Sequence, residues 1–311
     1  MPAPTIVQGR YVTSTDGTSI WADDAGVKPE LGGIPVVFIH GFACTALVWE
    51  KQFSDPMLRK NLYMIRYEIR GHGRSDHPLV AEAYTGQRYA EDFMAVCEAF
   101  GVEKPFVCAW SFGALMPVDI VEAFGPDVMS GVIYPGGPGI TQELHAKYVS
   151  PFLAEFIVLI TNDADQVNQA ANMFVDSCLH NPQGMLPFEK RLQWLAGFLL
   201  PSSTARMRTL MRTQESGRWE REFRPCKPHL LIQGTKDRHT VTEKLIPVVK
   251  ETFPHVEIKV VEDVGHAVCW EAPEQHNKYL LEFVRRHHRK PAEASSGGWG
   301  IASLLSGLLP A

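Results

Sequence analysis

Apolar and polar positions along this chain follow two different periods. Residues 8–24 alternate and turn at Asp16-Gly17, a two-residue hairpin signal. The run Pro35-Val36-Val37-Phe38-Ile39 has no polar break, as a strand buried on both faces of a parallel sheet requires. Residues 62–67 and 105–109 read the same way, and between them 87–100 carries apolar side chains at helical intervals and stops at Gly101. A strand over 131–134 ends in Pro135-Gly136-Gly137. Strands over 229–233 and 256–261 flank a helix over 241–252. Strands alternating with helices after an opening hairpin predict an α/β fold with a mostly parallel central sheet and flanking helices.

One stretch departs from that alternation. Residues 140–225 carry no strand signal but three amphipathic helical patterns, over 152–160, 166–179 and 188–200. The expected organisation is therefore a core of residues 1–139 and 226–289 with a helical cap inserted at 140–225. Residues 290–311 begin with Lys-Pro, pass through Ser-Ser-Gly-Gly and finish IASLLSGLLPA, the composition of a poorly ordered tail. The alternative is a short apolar helix docking on the body or on a second subunit, which leaves a homodimer open.

Composition narrows the classes. Hydrophobic residues at 45% and charged residues at 21% are ordinary for a soluble globular chain, and a net charge of -5 gives no basic footprint for nucleic acid. No apolar run reaches transmembrane length, and the N-terminus has no basic region followed by an apolar one. Six cysteines are scattered without a C-x-x-C pair, which reads as buried free thiols in a reducing, cytoplasmic compartment and as no metal site.

The candidate chemistry centres on Ala109-Trp110-Ser111-Phe112-Gly113. An apolar strand before and a helix after make this a sharp turn, with small residues two before and two after the serine. That is the geometry that exposes a nucleophile beside backbone N–H groups. Serine attacks only when a base takes its proton, so an acid and then a histidine are expected downstream. Asp237 follows the strand LLIQ in Gly-Thr-Lys-Asp, and His266 follows VEIKVVE in Asp-Val-Gly-His. Both loops should open at the carboxyl end of the sheet with Ser111. The loop His40-Gly41-Phe42 after VVFI can aim the Phe42 N–H at an oxyanion, paired with that of Phe112.

With HGF at His40, Y-E-I-R-G-H-G-R-S-D from Tyr67, AWSFG at Ser111, GTKD at Asp237 and GH at His266, the chain resembles the α/β-hydrolase superfamily in its esterase-like fold-1 group. The resemblance runs from the hairpin to the helix ending near His287. It implies the α/β-hydrolase fold, with Ser111, His266 and Asp237 as a catalytic triad, Phe42 and Phe112 as an oxyanion hole, and no cofactor. Three positions depart from the family's pattern: Glu68 stands for the usual Asp, Ala109 for the usual Gly, and Pro117 enters the helix after the nucleophile, where it should kink it. A serine nucleophile argues against epoxide hydrolases and dehalogenases of this fold. Ala267 after the histidine argues against hydroxynitrile lyases and ring-cleavage hydrolases.

The expected function is hydrolysis of an ester, thioester or lactone through an acyl-enzyme on Ser111, the substrate being a small molecule with an apolar acyl or lactone part. Phe188, Trp194, Leu195, Phe198 and Leu199 should form an apolar roof over it, with Trp194 and Phe198 touching substrate. An acyltransferase, or a ligand-binding relative with little turnover, would keep the same residues. His72, Cys44, Cys269 and Trp110 read as structural, and the arginines between 206 and 224 as a solvated helix face.

Overall fold

The computed structural model describes residues 9–162 and 166–288, with 158–162 described through their backbone alone. Eight strands form one sheet: β1 (Arg10–Thr13), β2 (Ser19–Gly26), β3 (Ile34–Ile39), β4 (Leu62–Tyr67), β5 (Phe106–Ala109), β6 (Gly131–Pro135), β7 (His229–Gly234) and β8 (Val256–Val261). Their order is β1-β2-β4-β3-β5-β6-β7-β8. The hairpin strands β1 and β2, and β2 against β4, pair antiparallel; every pair from β4 to β8 is parallel. This is the α/β-hydrolase fold, a mostly parallel sheet between helices.

The unbroken apolar runs are explained by two cores. Along β3, Val36 and Phe38 face one core with Trp49, Phe53 and Phe283, while Val37 and Ile39 face the other with Phe93 and Val118. All four β3 side chains are fully buried, each contributing roughly 1.5–3 kcal/mol. The helix Gly86–Phe100 starts where the Thr85 side chain accepts from Arg88 N and ends at Gly101 in the left-handed conformation.

Two local expectations change. The hairpin turn is wider than two residues: Thr13 pairs with Ser19, and Ser14 N–H donates to Thr18 O. A β-turn closes the loop, Gly17 N–H donating to Ser14 O at 2.9 Å with Gly17 in the left-handed conformation, while Asp16 accepts from Thr18 N and from the Arg70 guanidinium. Pro117 produces no kink. The chain leaves Ser111 as a 3-10 turn, Ser111–Leu115, and the α-helix Met116–Phe124 begins there, with Pro117 in its first turn where no donor is needed.

Between β6 and β7 the chain is helical, including Pro151–Asn162, Val167–Ser177, Phe188–Leu199 and Ser203–Leu210. An isolated antiparallel bridge from Val149 to Thr240 ties this segment to the loop after β7. No helix among the described residues is long and apolar enough to cross a membrane. The tail over 290–311 and Gln8 lie outside the described residues.

Candidate active site

Because β3 to β8 run parallel, the loops after them share one edge of the sheet. After β3, His40 Nδ1–H donates to Gly41 O at 2.8 Å and its Nε2 accepts from Ile69 N at 3.0 Å. The ring is fully buried, which lowers its pKa to about 4 and keeps it neutral. His40 thereby pins the β3 and β4 loops together. Glu68, at the family's aspartate position, makes a second such link: it accepts from Ala46 N in the segment after β3 and from the Arg74 guanidinium in the β4 loop. His72 is buried beside His40, and burial holds its pKa down to about 3.

Ser111 follows β5 with φ +55, a left-handed conformation rare for a side chain with Cβ and the strained geometry a nucleophile turn demands. Two glycines let backbone close around it. A Cβ at Gly113 would lie 2.6 Å from His40 O, and one at Gly41 would lie 3.2 Å from the Ser111 Cβ. Neither the Phe42 nor the Phe112 N–H is engaged in a hydrogen bond among the described residues, and both residues line a cavity with Ser111.

Asp237 and His266 are buried and joined, His266 Nδ1 to Asp237 Oδ2 at 2.9 Å. Asp237 Oδ1 also accepts from His239 N at 2.7 Å and Thr240 N at 3.2 Å, and Oδ2 from Gln233 Nε2 at 3.0 Å. Burial works to raise its pKa, but the His266 imidazole and these donors hold the carboxyl well below the usual range. His266 is set beside the nucleophile turn by Trp110, whose indole donates to His266 O at 3.0 Å with ring centroids 5.4 Å apart. Gly137, at φ +31, sits against the pair; a Cβ there would lie 2.7 Å from His266 Cε1 and 2.8 Å from Asp237 Oδ2. No hydrogen bond joins Ser111 Oγ to His266 Nε2, and the buried Nε2 has no other partner among the described residues. In a resting site such bonds are commonly longer than in the substrate complex.

Ser111 opens into a cavity of about 440 Å³, walled by Phe112, Leu115, Leu153, Phe156, Ile157 and Phe174. The expected roof is displaced. Trp194 and Phe198 do not line the cavity: Trp194 packs between Trp110 and Trp270, and Phe198 packs behind Phe42, Phe156 and Phe174. Phe188 and Leu199, at 69% and 45% exposure, face solvent. The helix Phe188–Leu199 thus supports the wall, and Pro151–Asn162 and Val167–Ser177 supply it.

The arginine cluster is not uniformly solvated either. Arg206 is buried because the end of the helix Phe188–Leu199 leaves carbonyls to satisfy, and it donates to Phe198 O and Pro201 O. Arg212 is buried in an ion pair with Asp119 and lies over the Tyr89 ring. Cys44 and Cys269 are free, buried thiols, and burial pushes Cys269 up to about 12, so neither is a nucleophile at neutral pH. Cys226 is exposed, unlike the other five. Gln233, Gly137 and His239 were not singled out from the sequence; the only signal for them was a polar residue ending an apolar strand, a Pro-Gly-Gly run and a histidine two places after Asp237.

Comparison with known proteins agrees with this architecture. A family model described as the alpha/beta hydrolase family matches residues 36–277. The structure is similar to that of a putative aryl esterase from Burkholderia cenocepacia, with 28% identity and a TM-score of 0.79, covering 90% of this chain and 99% of that one. A non-heme chloroperoxidase of Streptomyces lividans is 25% identical over 291 residues, 88% of this chain and 99% of the relative. The dihydrolipoyllysine-residue acetyltransferase component of the acetoin cleaving system of Pseudomonas putida is 25% identical over 263 residues, 82% of this chain; the chain spans only 65% of that relative's length.

Proposed function

Since the chain belongs to the alpha/beta hydrolase family, we propose that it is a serine hydrolase cleaving an ester, thioester or lactone through an acyl-enzyme on Ser111. The observation that carries this reading is the buried Asp237–His266 hydrogen bond beside a serine held at φ +55 on the cavity wall. In this mechanism His266 Nε2 takes the Ser111 proton as Oγ bonds to the acyl carbon, and then hands it to the leaving group. Asp237 fixes the imidazole with its proton on Nδ1 and stabilises its positive charge. The Phe42 and Phe112 N–H groups receive the oxyanion. Water then enters, loses a proton to His266, and releases the acid.

The lining of Phe, Leu and Ile side chains favours an apolar acyl or lactone part in the substrate. The helical segment over 140–225 acts as the cap, excluding bulk water. Five buried thiols, none bonded to another, favour a reducing, cytoplasmic setting. Similarity to a protein named as an acetyltransferase component supports a second reading, in which an alcohol or amine takes the acyl group instead of water.

The test is labelling with a fluorophosphonate probe followed by mass spectrometry. Covalent modification at Ser111, lost in Ser111→Ala and His266→Ala, is the expected result. A folded wild-type protein that reacts neither with the probe nor with small activated esters would overturn the reading.

A further inference from the structure

The acyl-enzyme mechanism above leaves four polar side chains of the cavity lining, Gln142, His145, Arg212 and His239, without a role, and of these His239 packs against His266. His239 lines the same cavity as Ser111, is 1% exposed, and its ring centroid lies 4.1 Å from that of His266. Phe152, from the helical segment, stacks on it, and Phe174 is tilted against it at 5.4 Å. The other imidazole in the lining, His145, meets the Tyr148 ring and has no ring contact with His266.

The tautomer of His239 follows from its neighbours. Ser177 Oγ lies 2.7 Å from Phe174 O and 2.7 Å from His239 Nε2. A carbonyl oxygen only accepts, so the one hydroxyl proton of Ser177 goes to Phe174, and His239 Nε2–H must donate to Ser177. Nδ1 is then a bare lone pair, and it has no partner among the described residues. Burial depresses the histidine's pKa well below its ordinary value, so that lone pair stays unprotonated near neutral pH.

His266 works twice on one side of the acyl group. It protonates the leaving group and later deprotonates the nucleophile that takes the leaving group's place. A ring packed on His266 borders that position. Water arriving there has two O–H bonds. One points to His266 Nε2, and the other needs an acceptor in a cavity walled mainly by Phe, Leu and Ile. An alcohol has a single O–H, so at the same place it would turn a carbon substituent toward the lone pair.

We propose that His239 Nδ1 accepts the second hydrogen of the water that hydrolyses the acyl-enzyme, making water the preferred nucleophile over alcohols. This rests on the hydrolase reading. In the step, the water oxygen bonds to the acyl carbon and its first proton passes to His266 Nε2. The second hydrogen stays on that oxygen, hydrogen-bonded to His239. The carbon–Oγ bond then breaks, the proton on His266 returns to Ser111 Oγ, and the carboxylic acid leaves.

The experiment uses p-nitrophenyl butyrate with methanol as a competing nucleophile. The nitrophenol burst reports acylation, and the ratio of methyl butyrate to butyrate reports which nucleophile won. His239→Leu should leave the burst rate within about 3-fold while deacylation by water falls, and the ester-to-acid ratio rises, about 10-fold. His239→Asn, which keeps an acceptor oxygen near the Nδ1 position, should bring the ratio back toward wild type. Ser177→Ala, which frees the ring, should move the ratio in the same direction by less. The proposal is overturned if His239→Leu and Ser177→Ala both keep the wild-type ratio, even where rates fall. Should the Leu variant not fold, the Ser177→Ala ratio alone makes that decision. It is also overturned if the ratio stays constant while kcat/KM drops only for esters whose alcohol part carries a hydroxyl, because His239 would then belong to substrate binding. A wild-type protein with no burst and no probe on Ser111 would remove the hydrolase reading itself, and this inference with it.

Discussion

The two walls of the cavity are held by different forces. On the sheet side, each group near Ser111 is fixed by directional bonds: four donors on Asp237, the Trp110 indole on His266 O, and both ring nitrogens of His40 on backbone. On the helical side, Leu153, Phe156 and Phe174 are held by packing, with Phe156 stacked on Phe174 at 5.2 Å and Phe174 tilted against Phe198 at 5.8 Å. Directional bonds fix positions to fractions of an ångström, whereas apolar packing mainly conserves volume. Substitutions on the first wall should therefore change how fast any substrate reacts, and those on the second should change which substrate reacts. His239 touches both, through its backbone N–H on Asp237 and its ring on Phe152, Phe174 and Ser177.

The largest effect tests the first wall. Asp237→Asn keeps the shape of the side chain but turns one acceptor oxygen into a donor, so the imidazole is no longer held with its proton on Nδ1. A fall in kcat of about 10⁴-fold on every ester tried is expected, together with a lower melting temperature, because the new amide N–H faces buried donors that the carboxylate had accepted. Steady-state kinetics on a short and a long acyl ester would check it. If the loss fell on one chain length only, the assignment of Asp237 to the reacting wall would break.

The same contrast explains what could be read from the sequence. Strand runs, the stop at Gly101 and the loops carrying His40, Ser111, Asp237 and His266 were legible because each is a local signal: an apolar period, a left-handed glycine or a short motif after a strand. Trp194 and Phe198 were not placed correctly, because an apolar face on a helix does not say whether it meets a cavity or another ring. Arg212 read as solvated because its partner, Asp119, is 93 residues away. His239 carried only its place two residues after Asp237, since its meaning depends on Ser177 from the helical segment and on the ring of His266. The fold and the loops of the hydrogen-bonded wall are signalled locally, and the packed wall is encoded in contacts between distant segments.

Acid should act first through the buried histidines. Burial lowers the pKa of His40 and His276 to about 4 and of His72 and His229 to about 3. Their folded pKa values lie below the unfolded value of about 6.5, so the unfolded chain binds protons first as pH falls. Their contribution is complete above pH 6.5 and is lost as pH drops from there toward about 4. Each such histidine removes up to ~1.4 kcal/mol per pH unit in that window. Asp237, with its carboxyl held low, adds a further loss only below the ordinary carboxylate range. The melting temperature should be level from pH 8 to 7 and then fall steeply toward pH 4. A flat profile through pH 5 would mean these rings are not held neutral in the folded protein.

The smallest effect sharpens the second wall. Leu153 is half-buried on the cavity side of the helix Pro151–Asn162, and Leu153→Trp would fill part of the 440 Å³ without touching Asp237, His266 or Ser111. Each methylene of an acyl chain gains about 0.8 kcal/mol by leaving water, so removing room for two carbons should lower kcat/KM for a long-chain ester about 10-fold. The acetyl ester, too short to reach the added indole, should keep its kcat. Chain-length profiles of the p-nitrophenyl esters measure this directly. If acetyl and octanoyl esters lost activity in equal proportion, the indole would be acting on the reacting groups. The helical wall would then be part of the positioning machinery, and the division of labour between the two walls would fail.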